Sequence, residues 1–200
     1  MDRVGRNLTI SWKNTKGCYG WGFAAIHWLM AVLILVVLGL GMWMVTLDYY
    51  HPWYVRAPDW HRGLGVIAGI LLLLRLAWRV LNPPPPPRGS SRTQWAARLV
   101  HWAFYALIAL VVLSGYLMTT AKGSGVSLFG WFEIPSPFNG SLPVDNLETQ
   151  AGRLHRWLAY ALLGLIVLHA LAALWHHFVK SDGSLWRILG RCPEGGEPSA

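Results

Sequence analysis

A four-helix bundle crossing a membrane, all-α in class, is the fold this sequence predicts, and three observations predict it. Of the 200 residues, 54% are hydrophobic and only 13% are charged, against roughly a quarter charged in an ordinary soluble domain. Residues 17–47, 99–121 and 157–179 contain no Asp, Glu, Lys or Arg, and about 20 apolar residues suffice to span the hydrocarbon core as a helix. The basic residues fall unevenly between the two sides that such spans define. This composition argues against a soluble enzyme, a disordered chain and a DNA-binding module. Little polar surface is left to present the net charge of +8 to a nucleic acid.

The elements follow in order. An N-terminal segment, 1–21, is polar and basic, and the first helix runs from about 22 to 46. Its apolar run is too long for the core of a cleavable signal and reads as a membrane anchor. The second helix is weaker, because only residues 63–74 are free of charge. The apolar pattern continues past Arg75 and Arg79 to Leu81, which gives a helix over 59–81. Asn82 and five prolines, Pro83–Pro87, then form a stiff, extended turn-around. The third helix spans about 94–119. A long loop rich in Gly, Pro and aromatics follows, expected to pack at the membrane surface. The fourth helix spans 151–179. It closes a membrane domain of 22–180, followed by a polar tail, 181–200.

Topology follows from the basic residues. The side holding the N-terminus, the polyproline linker and the tail carries twelve Lys and Arg against four acids. The other side carries five against five. Lys and Arg concentrate on the cytoplasmic side, so both termini are expected there. The basic balance is then a property of the membrane orientation and calls for lipid rather than nucleic acid as surroundings. Cys18 and Cys192 lie near the two ends, with neither metal spacing nor a disulfide framework.

Five of the eight histidines, His27, His61, His101, His155 and His169, lie within the spans. Ionisable groups there are expensive and therefore candidates for function. His155 and His169 are 14 residues apart on one helix. At ~100° and ~1.5 Å per residue they leave the same face about 21 Å apart. The same offset leads from His27 to Gly41, from His101 to Gly115 and from His61 to Arg75. Each helix thus presents a special residue at an outer and an inner level. Gly65 and Ala68, on the His61 face, would let a flat group approach the backbone.

Two histidine levels at this separation suit two stacked haems with axial imidazoles from facing helices. The outer level offers His61 and His155; the inner level offers His27, His169 and His101. Arg75, at inner depth, is placed to pair with a haem propionate. A zinc site or a proton relay is the competing reading, and the charge-free runs hold no acidic residue to serve either. A lone histidine in a membrane helix is also a common interhelical hydrogen-bond donor. Arg79, near a helix end, reads as a snorkelling side chain.

The segments AAIHWLMA (24–31), DWHRGLG (59–65), FGWFEIPS (129–136) and GRLHRWLAYALLGLIVLHALAALWHHFV (152–179) resemble the bacterial cytochrome b561 family, in order and nearly throughout residues 20–190. The resemblance implies His27, His61, His155 and His169 as the haem iron ligands, preferring His27 over His101. It implies two haem b and electron exchange with the quinone pool in the bacterial inner (cytoplasmic) membrane. The characterised activity it suggests is superoxide oxidase, which oxidises superoxide at the periplasmic face and reduces ubiquinone. On that reading Arg62, Arg153 and Arg156 steer superoxide to the outer level. His101, His176, His177 and Lys180 form the region for the quinone and its protons. The alternative is a cytochrome b anchor relaying electrons between a partner dehydrogenase or carrier and the quinone pool. A histidine-rich metal transporter is a third reading. The extended N-terminal segment and the polyproline linker depart from the family pattern.

Overall fold

The computed structural model describes residues 11–15, 17–87, 89–136 and 146–189. Four long helices dominate it: α1 (Trp21–Met44), α2 (Arg56–Leu81), α3 (Ser91–Thr120) and α4 (Leu147–Phe178). They are 24, 26, 30 and 32 residues long. At ~1.5 Å per residue each exceeds a hydrocarbon core of about 30 Å. All four are long and apolar enough to cross a membrane. Two short strands, β1 (Val126–Leu128) and β2 (Phe132–Ile134), pair antiparallel between α3 and α4. A one-turn helix, α5 (Ser184–Ile188), follows α4.

Local chemistry sets the helix ends. Hydropathy alone starts α2 at about 59, but the helix begins at Arg56. Pro58 lies within its first turn, where the missing N–H costs nothing, and Asp59 sits at the positive end of the helix dipole. α2 ends where Pro83 forbids continuation. Ser90 caps α3 by accepting a hydrogen bond from the Thr93 amide at 3.4 Å, so that helix also starts before its apolar run. α4 begins four residues earlier than the apolar pattern, with Glu148 in its first turn paired with Lys122.

The core is a thin seam of Met30, Ile34, Leu38, Leu72, Tyr105, Ile108 and Leu162. Leu29, Leu73, Leu113 and Leu168 point outward instead, as expected where the surrounding solvent is lipid. α1 packs chiefly on α2 and α3 on α4, with α2 also touching α3. The bundle is therefore two helix pairs set side by side.

The loop after α3, which its composition places at the membrane surface, contains the β1–β2 hairpin. Phe129 and Gly130 take positive φ in the turn of the β1–β2 hairpin. The Phe129 ring is seated on Gly63 of α2, where an added Cβ would meet its Cζ at 2.6 Å, and it packs against Trp60 at 5.1 Å. At the opposite end, the N-terminal segment folds under the bundle. Asn14 Nδ2 donates to the Asn82 and Pro83 carbonyls at 2.9 and 3.3 Å, and its backbone amide donates to Asn82 Oδ1 at 3.2 Å. Trp12 packs edge-on against Trp21 and Trp78. Arg187 of α5, only 7% exposed, donates to the Pro86 carbonyl and covers the Tyr19 ring. The N-terminal segment, the polyproline linker and α5 thus share one side of the bundle. Residues 1–10, Lys16, Arg88, 137–145 and 190–200, Cys192 among them, lie outside the described residues. Cys18 is disulfide-bonded, where the sequence showed no disulfide framework.

The Asn14 side chain donates two hydrogen bonds to the end of α2 and accepts one from the Gly20 amide at 2.8 Å, each worth about 1 kcal/mol net. Asn14→Ala should therefore lower the thermal midpoint of the detergent-solubilised protein and speed proteolysis at the polyproline linker. Limited trypsin digestion along a temperature ramp measures both.

Candidate cofactor site

The in-span histidines fall into two groups. At the outer level, His61 of α2 and His155 of α4 face each other across the two helix pairs, ring centroids 6.0 Å apart and planes at 83°. Two metal–imidazole bonds of about 2 Å, with ~1.1 Å more from nitrogen to ring centre on each side, give a centroid separation of about 6 Å. The pair is spaced for one metal between two imidazoles.

Each ring is held from behind. His61 Nδ1 donates to the Val37 carbonyl of α1 at 3.1 Å, and His155 Nδ1 donates to the Val111 carbonyl of α3 at 2.9 Å. A carbonyl only accepts, so the proton sits on Nδ1 and Nε2 is left as the ligating nitrogen. A hydrogen bond from the ring's other nitrogen fixes both tautomer and orientation in metal-binding histidines. Four residues beyond each carbonyl stands a glycine. A Cβ on Gly41 would lie 2.8 Å from His61 Cε1, and one on Gly115 would lie 3.0 Å from His155 Cε1. The glycines at the 14-residue offset thus sit at the outer level, and each admits the neighbouring helix's imidazole to the backbone. Ala68 is buried, and a Cβ at Gly65 would meet nothing within 4 Å.

The inner level gathers His27, Arg75, Tyr105, His101 and His169. Arg75 Nη2 donates to His27 Nδ1 at 3.1 Å, and Arg75 Nε donates to the Tyr105 hydroxyl at 3.3 Å. Its guanidinium also lies over the Phe23 ring at 5.1 Å. The His101 and His169 rings are 5.9 Å apart at 64°, and Phe104 packs on His169. These last three residues belong to the closely packed α3–α4 pair. Among the described residues the ion pairs are Arg62–Asp59, Lys122–Glu148 and His176–Asp182, so no carboxylate meets Arg75. A guanidinium held in the span without an anion, beside imidazoles, fits a cofactor that brings its own carboxylates. Haem b is such a group, and the residues present fit it.

The remaining candidates separate. Arg153 and Arg156 are exposed on either side of His155, with no carboxylate partner among the described residues. Arg62 is bound to Asp59, which cancels part of its field. The four residues read as one quinone region do not form one group: His101 faces His169, while the other three lie at the end of α4. His176 Nδ1 is 2.9 Å from Asp182 Oδ2, and Asp182 accepts further bonds from the Ser184 amide and hydroxyl. Burial works against that carboxylate, but the hydrogen bonds from Ser184 and His176 prevail and hold it below its usual range. His177 packs against Phe178 and Trp186, and Lys180 lies over Trp175. Sequence reasoning missed Tyr105, Tyr19 and Phe23. Tyr105 stands four residues after His101, so helical periodicity could have found it. Tyr19, beneath Arg187, is half-buried, and desolvation pushes its phenol up against the pull of Arg187, Arg79 and Arg75.

Residues 18–191 match the family described as prokaryotic cytochrome b561. Cytochrome b561 homolog 2 of Escherichia coli (strain K12) is 42% identical over 184 residues, covering 91% of this chain and 96% of that protein. Probable superoxide oxidase CybB of Yersinia pestis is 28% identical over 167 residues, 82% of this chain and 91% of that protein. Cytochrome b561 homolog 1 of E. coli (strain K12) is 29% identical over 143 residues, 69% and 77% of the two chains. With four membrane-length helices, histidines facing each other inside the bundle and a match over most of its length, the chain belongs to the prokaryotic cytochrome b561 family of multi-pass, haem b electron-transfer proteins.

Proposed function

We propose that this protein carries electrons across the bacterial inner membrane from superoxide at the periplasmic face to ubiquinone near the cytoplasmic face, with both termini cytoplasmic. The observation that carries the proposal is the outer imidazole pair, spaced for one iron and locked in the ligating tautomer. His61 and His155 hold one haem b; His27 and His169 hold a second. Bound there, haem supplies one-electron transfer at two depths.

The choice of His27 over His101 rests on helix pairing. The outer ligands come from opposite helix pairs, α2 and α4, and a flat macrocycle needs the gap between pairs. His27 of α1 and His169 of α4 repeat that relation, whereas His101 and His169 sit within one packed pair. Arg75 currently donates to His27; a propionate is a stronger acceptor than a neutral imidazole and would draw the guanidinium to itself.

The overall reaction balances simply. Two superoxide ions give two dioxygen molecules and two electrons, and ubiquinone takes both electrons with two protons to become ubiquinol. Arg153 and Arg156, exposed beside His155, draw the anion inward, and Arg62 adds less because Asp59 binds it. His101 lies deep enough to contact the quinone, while His176, His177 and Lys180 line the route by which protons reach it. The name of the 28% identical Yersinia protein supports superoxide as donor. The 42% identical relative carries no substrate in its name. The anchor reading therefore stands as the second: Trp131, 94% exposed at the hairpin, offers a contact for a periplasmic partner.

The pyridine haemochrome of the purified protein should give two b haems per chain. His61→Ala and His155→Ala should each leave one, and Gly115→Leu, which crowds the His155 ring, should lower outer haem retention. A single haem in the wild type would end the two-level assignment.

Stopped-flow mixing with superoxide should reduce the oxidised protein quickly and more slowly as salt rises, because exposed attraction is screened beyond about 10 Å at 0.1 M. The double change Arg153→Gln and Arg156→Gln should slow that step several-fold with haem content intact. Reduction no faster than in a haem-matched control would reject superoxide and favour the anchor reading.

A further inference from the structure

Arg79 is the second guanidinium at the inner level, one turn beyond Arg75 on the same face of α2. Its Cζ lies 5.8 Å from the Trp102 ring centroid and 5.7 Å from that of Tyr105, both on α3. Trp102 and Tyr105 pack edge-on, 5.6 Å apart. The helix dipole favours a cation in the last turn of α2, but it does not account for a side chain laid across two rings of the next helix. A simple snorkel would carry the charge away from the bundle. As with Arg75, no carboxylate among the described residues pairs with Arg79.

Tyr105 joins the two arginines. It is buried in the seam, it accepts from Arg75 Nε, and its ring lies under Arg79. Its own O–H remains available to donate. Two guanidiniums and one phenol therefore converge next to His27, His101 and His169. They present two positive charges and several donors, with no matching carboxylate among the described residues. Burying such a pair is costly unless an anion accompanies it.

We infer that Arg75, Arg79 and Tyr105 form a clamp for two carboxylates on a single ligand, the two propionates of the haem held at the inner level. The inference rests on the haem assignment above. Two unpaired guanidiniums one turn apart match a ligand with two carboxylates on adjacent arms, in charge and in number. Each guanidinium takes one carboxylate, and the Tyr105 hydroxyl donates to the one held by Arg75. Arg79 is thus a haem-binding residue, and the aromatic rings around it fix its side chain before the ligand arrives.

The test is a redox titration of the purified full-length protein, followed in the visible spectrum, with haem counted per chain. Arg79→Gln removes a positive charge beside one haem. It should lower the midpoint potential of the inner haem, or halve the haem content, and leave the outer haem unchanged. His61→Ala, which retains only the inner haem, identifies which midpoint is which. Arg79→Lys should recover part of the shift, Tyr105→Phe should produce a smaller one in the same direction, and Arg98→Gln, an exposed charge on α3, should produce none. The outer haem reports that each variant is folded. Wild-type midpoints and two haems in Arg79→Gln would overturn the clamp, as would an equal shift of both haems. Loss of bound anionic phospholipid with unchanged potentials would also overturn it and assign Arg79 to a lipid headgroup. Failure of the parent reading looks different, because the wild type itself would then lack a second haem.

Discussion

The bond from a histidine Nδ1–H to a main-chain carbonyl of the neighbouring helix is the interaction on which the arrangement depends. It occurs twice, His61 on Val37 and His155 on Val111. Each instance uses the helix packed most closely beside the histidine's own, α1 for α2 and α3 for α4. An imidazole facing the interior of a bundle would otherwise be free to rotate and to exchange tautomers. The carbonyl removes both freedoms, and its own intrahelical bond need not break because an oxygen has two lone pairs. The glycine one turn further on gives the ring room, since a methyl group at Gly41 or Gly115 would overlap it. Function therefore dictates small residues in helix interiors, where they cost roughly 0.5–1 kcal/mol against alanine.

That constraint shapes the packing. A bundle that keeps two facing histidine levels open cannot also fill its centre with leucine, and the buried seam is correspondingly thin. Holding the two helix pairs in register then falls to contacts outside the span. Arg187 ties α5 to the polyproline carbonyl of Pro86 and to Tyr19 across the pairs, while Asn14 braces the N-terminal segment on the end of α2 within one pair. At the other end Phe129 seats the hairpin on Gly63. These three straps lie where water can satisfy the remaining polar groups, so irregular backbone is tolerated there and not within the bilayer.

The legible part of the sequence was whatever is periodic or local. Absence of charge marks three of the four spans, the apolar pattern running past Arg75 and Arg79 marks the other, and the 14-residue offset marks two levels on a common face. The helix ends moved outward from the apolar runs because Pro58, Ser90 and Glu148 obey capping and dipole rules rather than hydropathy. What was not legible depends on which helix neighbours which. The offset pairs His27 with Gly41 along α1, but nothing in the spacing says that Gly41 serves His61 of α2. Nor does it reveal that Arg79 turns onto α3, that His101 and His176 part company, or that Asn14 reaches a residue 68 positions away. Such contacts are set by tertiary geometry, and a single sequence carries no trace of them.

The two levels differ most in charge, and the difference has a direction. At the outer level the imidazoles are held by neutral carbonyls, Arg62 is compensated by Asp59, and Arg153 and Arg156 are exposed where water and salt screen them. At the inner level Arg75 and Arg79 stand within the span, uncompensated by any carboxylate of the described residues. Charges act over longer distances where the dielectric is low. An electron arriving near the inner level meets a positive field that stabilises it, while one at the outer level meets little. If propionates neutralise the two guanidiniums, donor hydrogen bonds from Arg75, Arg79 and Tyr105 still withdraw electron density on the inner side. With the proposed occupants in place, the protein's own charges make the inner level the lower-energy position for the electron. In the proposed orientation, the positive-inside bias of the basic residues also sets a gradient along the proposed electron path.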